Sequence, residues 1–296
     1  MSDAVIPAAT TAAPTVRSPL GEFWKRLLRQ KLAMFAAGVL AVLVFSAAFA
    51  PWIAPYDPTA ADYEQILAPP SAAHWAGTDA FGRDILSRIV YGGRISLAVG
   101  FLSVSIGGIV GIALGLIAGF YGRWLDSLIM RASDVLFAFP GILLAIGVIA
   151  ILGPGIDNVI YAVAVFSVPT FARLVRGSTL ALKHAPYVDA ARATGVKNRW
   201  LMLRHILPGT LPSVIVYFSM RVGTSILTAA ALSFIGLGAQ PPSPEWGAML
   251  ADGRSFLGVA SHVTLYPGLA IFVTVLAFNL LGDGLRDALD PKLKNA

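Results

Sequence analysis

"YVDAARATGVKNRWLMLRHILPG", residues 187–209, is a basic stretch set between two apolar walls. The run 158–172 before it carries no charge, and the run 209–239 after it carries only Arg221. The backbone punctuation of the stretch is legible. Pro186 suits the first turn of a helix, where a missing N–H costs nothing. Gly195 ends that helix at the left-handed position glycine favours. "VKNRWLMLRHIL" forms a second helix, and Pro208 marks the entry to the next apolar run. Two short helices held to a membrane at both ends make a protruding knob. Ala190, Ala191 and Ala193 give it a small-residue face, framed by Asp189, Arg192, Lys197 and Arg199.

The rest of the 296-residue chain supports a membrane setting. Hydrophobic residues make up 56% of it and charged ones only 13%, about half the soluble norm of roughly 25%. A bilayer core about 30 Å thick needs about 20 helical residues. Six spans are predicted on that basis, at 32–56, 95–121, 135–156, 158–172 with an extension past Arg173, 209–239, and 263–282. Alternating strand patterns are absent, which argues against a barrel. The chain is therefore expected to be an all-α integral membrane protein with six transmembrane helices.

Lysine and arginine set the orientation. Arg17, Lys25, Arg26, Arg29 and Lys31 precede the first span, and seven basic residues lie between Arg173 and Pro208. The tail adds Arg286, Lys292 and Lys294, whereas the loop between spans five and six has only Arg254. Both termini and the knob are expected on the cytoplasmic side. The net charge of +6 is thereby read as topology, not as a nucleic-acid footprint. "SAAFA" at 46–50 resembles a cleavage site, but the long polar segment before it points to an uncleaved anchor.

Local readings follow. Residues 1–20 are Ala-, Pro- and Thr-rich and expected to be disordered. "EFWKRLLRQK" (22–31) is read either as a short interfacial helix or as a basic anchor flanking a span. Gly107, Gly111, Gly115 and Gly119 fall on one helix face, either for close backbone approach or as generic span packing; tight enclosure by protein is expected in both cases. Arg131 and Asp134 are spaced to pair. "LGPGIDN" (152–158) is a tight turn. Ser243 is expected to cap a short helix with Pro244 in its first turn, and Trp246 to sit at the membrane interface. Asp283 and Asp287 are read as solvated or paired with Arg286.

Chemistry on this chain is not supported. There are no cysteines, so no thiolate site or disulfide. No GxxxxGK[ST] phosphate loop occurs. His74, His184, His205 and His262 are scattered, with no two at metal-ligand spacing. Arg221, expected about 15 Å into span five, is a costly mid-membrane cation. It is read as a pathway-lining group that meets a substrate carboxylate, or as a structural partner of another subunit, or as a side chain that snorkels to the interface.

The knob resembles the "EAA" loop of binding-protein-dependent ABC importer permeases. Asp189, Ala190, Ala191, Gly195, Leu207 and Pro208 occupy the pattern's positions. Asp189 stands where the pattern has glutamate, and His205 where it usually has isoleucine. "GTDAFGRDILSRIVYGGRISL" (77–97), "ALSFIGLGAQPPSPEWGAML" (231–250) and "FNLLGDGLRDALDPKLK" (278–294) resemble the peptide and nickel branch of these permeases. "FARLVRGSTLALK" (171–183), "RHILPGT" (204–210) and "MRVGTSI" (220–226) are most similar to glutathione-import permeases within it.

The resemblance implies a type I importer permease fold: a cytoplasmic segment 1–31, a permease domain 32–284 with a coupling loop at 177–208, and a cytoplasmic tail 285–296. It implies a non-catalytic subunit of the bacterial inner membrane, without a cofactor of its own, that imports glutathione or small peptides by alternating access. Expected partners are a second permease, two ATPase subunits that bind ATP and Mg, an external binding protein that touches segments 57–94 and 240–262, and lipid; nucleic acid is not among them. Tyr187, Asp189, Ala190, Ala191, Arg192, Gly195, Leu207 and Pro208 are the implied ATPase-coupling residues. Other di- or oligopeptides and nickel complexes remain as substrates. An ion-coupled secondary transporter remains as an alternative class, although no midplane Asp or Glu supports it.

Overall fold

The computed structural model describes residues 19–289. The opening segment 1–18 with Arg17, and Lys292 and Lys294 of the tail, lie outside the described residues. A short amphipathic helix α1 (Pro19–Leu27) leads in and packs Leu27 with Ala33 and Ala288. Helix α2 (Lys31–Ala48) is the first apolar span, and a single turn α3 (Ala50–Ile53) follows it. An irregular segment then reaches Asp84, whose carboxylate accepts the Ser87 N–H at 2.7 Å. That cap starts α4 (Ile85–Tyr121) ten residues before the expected start at 95. At 37 residues the helix runs about 55 Å, well beyond a hydrocarbon core of about 30 Å. Arg88 and Arg94, expected in a loop, lie in its first three turns, Arg88 buried and Arg94 exposed.

The third expected span is not one helix. Helix α5 (Arg123–Ala138) and α6 (Gly141–Leu152) meet at a bend of 94°. Pro140 has no N–H to continue the ladder and holds Phe139 extended, at φ −91° and ψ 135°. Helix α7 (Ile156–Leu182) extends past Arg173 as expected. The first six residues assigned to a coupling loop are its last turns. After α8 (Pro186–Ala193), a turn α9 (Asn198–Trp200) passes through a π-turn, Leu201–Ile206, into α10 (Leu207–Phe234) without a break. Helices α11 (Trp246–Gly253) and α12 (His262–Leu289) complete the described residues. Among the described residues, five helices are long and apolar enough to cross a membrane, six when the bent pair counts as one span.

Helices α4 and α7 pack backbone against backbone. A methyl group at Gly107 would stand 2.5 Å from the Ala164 carbonyl oxygen, one at Gly111 2.6 Å from that of Val168, and one at Gly115 2.5 Å from that of Ala172. The four-residue glycine spacing is therefore a slot for α7. Its other faces are less enclosed, with Phe101 and Ile109 exposed.

The end of the bundle that carries α11 is closed by buried charge. Arg83 Nε lies 2.6 Å from Asp79 Oδ2, Arg88 Nε 3.4 Å from the same oxygen, and Arg83 Nη2 3.7 Å from Asp252. Burial raises the Asp252 carboxyl pKa, and Arg83 and Arg88 oppose that shift. Two of the scattered histidines serve here: His74 Nδ1 meets Asp84 at 3.0 Å, and His262 Nε2 lies 3.2 Å from the Thr78 carbonyl oxygen.

Two expectations about α11 are corrected. Its N-cap is Glu245, not Ser243: Glu245 Oε2 accepts the Ala248 N–H at 2.9 Å and Oε1 accepts the Ser96 hydroxyl at 3.2 Å. Trp246 is not an interface residue. It is 1% exposed, lies against Gly92 and Gly93, and donates Nε1–H to the Ile89 carbonyl oxygen at 2.9 Å. Trp246→Ala should lower stability by about 3–5 kcal/mol, read as a lower midpoint in denaturant titration of the purified protein. An unchanged midpoint would refute this account of the anchor.

Candidate functional site

The knob is built on one end of a core it shares with the bundle. Val188 of α8 and Leu201 and Ile206 of the π-turn are all 0% exposed, with Ala185, Ala191, Val196 and Leu207 packed around them. The same cluster continues into the bundle through Phe171, Val175 and Val214. The knob is thus an extension of the transmembrane core and not a hinged appendage.

Its local geometry follows from three residues. Pro186 begins α8 in the first turn. Gly195 turns the chain at φ +83° with open space around it. Pro208 cannot donate a backbone hydrogen bond, and the turn before it widens: the Leu207 N–H donates five residues back, to the Met202 carbonyl oxygen. A π-turn of this kind lets the second helix run on into α10 instead of breaking at the proline.

The structure gathers the expected residues unevenly. Tyr187, Asp189, Ala190, Arg192 and Gly195 are exposed on the knob, with Ala191 half-buried beneath them. Leu207 is half-buried and Pro208 exposed at the start of α10. The Tyr187 hydroxyl reaches the neighbourhood of Gly209, which brings α8 beside the head of α10. Asp189 and Arg192 neutralise each other at 2.6 Å, and Arg192 also donates to the Lys183 carbonyl oxygen at 3.3 Å. Both side chains of the pair are about half exposed, so its worth to stability is at most about 1 kcal/mol.

Sequence reasoning missed two parts of the knob. Val188 is its central anchor, signalled only by its spacing from Ala191. Val196, Trp200, Arg204 and His205 line a groove of about 430 Å³ on its flank; an exposed tryptophan within a basic helix was the available signal.

Ion pairs tie α5 to α7 near this end. Arg176 Nη2 donates to Asp126 at 2.7 Å, and Arg173 Nη2 to Asp134 at 2.7 Å. The expected Arg131–Asp134 pair is therefore replaced by a longer-range one. At the end of α12, Asp287 accepts the Gln30 amide at 3.5 Å, while Arg286 lines a crevice of about 750 Å³ with Leu174, Ser213, Tyr217 and Met220.

That crevice opens one face of α10, and an apolar crevice of about 700 Å³, bounded by Leu227, Ala231 and Phe234, opens the same face nearer the other end. Arg221 falls between their levels along α10 and lines neither. Its Nη1 lies 3.4 Å from Thr224 Oγ1, its guanidinium carbon 4.8 Å from the centre of the Phe166 ring, and its Nε is buried without a hydrogen-bond partner among the described residues.

A family model described as "Binding-protein-dependent transport system inner membrane component" matches residues 111–295. A second, described as "N-terminal TM domain of oligopeptide transport permease C", matches residues 18–70. The chain is 59% identical to the glutathione transport system permease protein GsiD of Pectobacterium atrosepticum, over 95% of this chain and 94% of the relative. It is 58% identical to the GsiD of an Escherichia coli O6 strain, over 97% of each. Among solved structures it resembles an inward-facing methionine ABC transporter, MetNI, with a TM-score of 0.57 at 19% identity, over 70% of this chain and 98% of that one. An amino acid ABC transporter with histidines gives 0.52 at 17% identity, over 68% and 94%.

Proposed function

The chain belongs to the family of binding-protein-dependent transport system inner membrane components, and on that premise we propose that it carries glutathione through the membrane under the drive of ATPase subunits that seat on its knob. As a family member it is a multi-pass permease subunit of an ABC importer with the type I permease fold. The observation that carries the substrate is the identity of 58–59% along nearly the whole chain to permeases of glutathione transport. Small peptides are the second reading, favoured by the match of residues 18–70 to the oligopeptide permease domain.

In this reading the knob end faces the cytoplasm, both termini lie on that side, and the charge-closed end with α11 receives an external binding protein. Excess lysine and arginine at the knob end supports that orientation. A second permease completes the passage, and ATP and Mg are held by two ATPase partners. Tyr187, Asp189, Ala190, Ala191, Arg192 and Gly195 present the coupling surface. Leu207 and Pro208 transmit its motion, because the buried residues Val188, Leu201 and Ile206 join it rigidly to α10. Closure of the ATPases would then swing α10 and expose the passage to alternate sides, with no covalent chemistry on this chain.

The test is reconstitution of the chain with its second permease, ATPases and binding protein in proteoliposomes. ATP-dependent uptake of labelled glutathione, blocked when the binding protein is omitted, is the expected result. Uptake of dipeptides with none of glutathione would replace the substrate with the second reading. Uptake of neither, in a complex that hydrolyses ATP, would overturn both.

A further inference from the structure

Arg221 lies 14 residues from the first residue of α10 and 13 from the last, roughly 20 Å from either end at 1.5 Å per residue. A cation at that depth is costly and faces protein or water. A guanidinium carries five N–H donors, yet among the described residues only one weak hydrogen bond takes any of them, the 3.4 Å contact to Thr224. Nε is buried and unmatched. Among the described residues no ion pair engages Arg221. The side chain is instead braced. The Phe166 ring lies against its guanidinium, and Gly141, just past the α5–α6 bend, leaves room for that ring: a methyl group there would stand 2.4 Å from it.

The surroundings show what would supply the missing acceptor. Ser213, Tyr217, Arg221, Thr224 and Thr228 share one face of α10 at helical spacing, and each is at least partly exposed. Ser213 and Tyr217 line the crevice that Arg286 borders, and Arg221, Thr224 and Thr228 continue that face along the helix beyond it. A planar cation with free edge-on donors on such a face matches a carboxylate, which it can take through two parallel N–H···O bonds.

We propose that Arg221, braced by Phe166 and Thr224, is the specificity-determining cation of the passage and binds a carboxylate of the cargo in transit. The inference rests on the reading that this chain is the permease of a carboxylate-bearing peptide. Phe166 keeps the unloaded guanidinium partly satisfied through a cation–π contact, so the site need not be empty of stabilisation between cargoes.

The test uses the permease–ATPase complex in nanodiscs without the binding protein, with glutathione and its diamide, which lacks both carboxylates, as probes. Arg221→Gln should weaken glutathione binding about ten- to hundredfold, the worth of hydrogen bonds to a charged group. Arg221→Lys should fall between, since it keeps the charge and loses the fork. The diamide should bind wild type and Arg221→Gln alike, at the weakened level. Three results would overturn the inference: unchanged glutathione binding by Arg221→Gln, equal losses for glutathione and the diamide, or a wild-type complex that imports glutathione yet binds none at millimolar concentration. Failure of wild-type uptake in the reconstitution above would instead strike the permease reading itself.

Discussion

Ala190→Trp should abolish ATP-driven uptake while leaving the chain folded. Ala190 is exposed on α8 and belongs to none of the buried clusters, so an indole there disturbs nothing within the chain. On a partner's side the same change is severe. A bulky side chain forced into a fitted contact costs about 1–3 kcal/mol or more, and each 1.4 kcal/mol is about a tenfold loss of affinity. The ATPases should therefore be lost on purification and uptake should fall to background. Val188→Asp is the complementary variant: Val188 is 0% exposed, so an aspartate there should lower the unfolding midpoint as well as uptake. Normal uptake and retained ATPase in Ala190→Trp would mean that the knob couples through some other face, or not at all.

Gly111→Leu should produce a chain that does not accumulate as folded protein. The first carbon of any side chain at Gly111 would meet the Val168 carbonyl oxygen and the Phe171 β-carbon, both at 2.6 Å. Neither is the free end of a flexible side chain, so α4 and α7 would have to part along their whole length. Ordinary overpacking costs about 1–3 kcal/mol, and a contact against backbone at this distance belongs at or beyond the upper end. Gly38→Leu and Gly147→Leu are the controls, since nothing lies within 4 Å of a carbon placed at either position. Removing a mid-helix glycine there should even favour the helix by up to about 1 kcal/mol. Comparable yields and midpoints for all three variants would show that the glycine slot does not hold α7.

Much of this arrangement could be read from the residues, for identifiable reasons. Pro186, Gly195 and Pro208 restrict the backbone directly, so the knob's outline follows from them. The α4 glycines restrict it by omission, since only another backbone can fill the space they leave. The α5–α6 bend was harder to read because an uncharged apolar run looks continuous to any measure of hydropathy, whereas the break depends on one missing N–H at Pro140. Trp246 misled because an amphipathic ring suits an interface as well as a pocket. The pocket exists because Gly92 and Gly93, 154 and 153 residues away in the chain, lie opposite the indole. Asp134 has Arg131 three residues off, yet pairs with Arg173 across helices, a choice that local spacing cannot express. Arg221 stood out as a mid-membrane cation, but its Phe166 brace depends on how α7 lies beside α10.

The slot on α4 also has a history during synthesis. Its glycines are translated nearly 60 residues before the α7 backbone that fills them, with the bent pair α5–α6 in between. At ribosomal speeds of about 5–20 residues per second, the groove stands open to lipid tails, or to whatever insertion machinery shelters it, for on the order of 3–12 s. Nascent chains stalled within that interval would present a bare, narrow-waisted helix, the moment at which quality-control proteases or a mispaired neighbour have their best access to this protein.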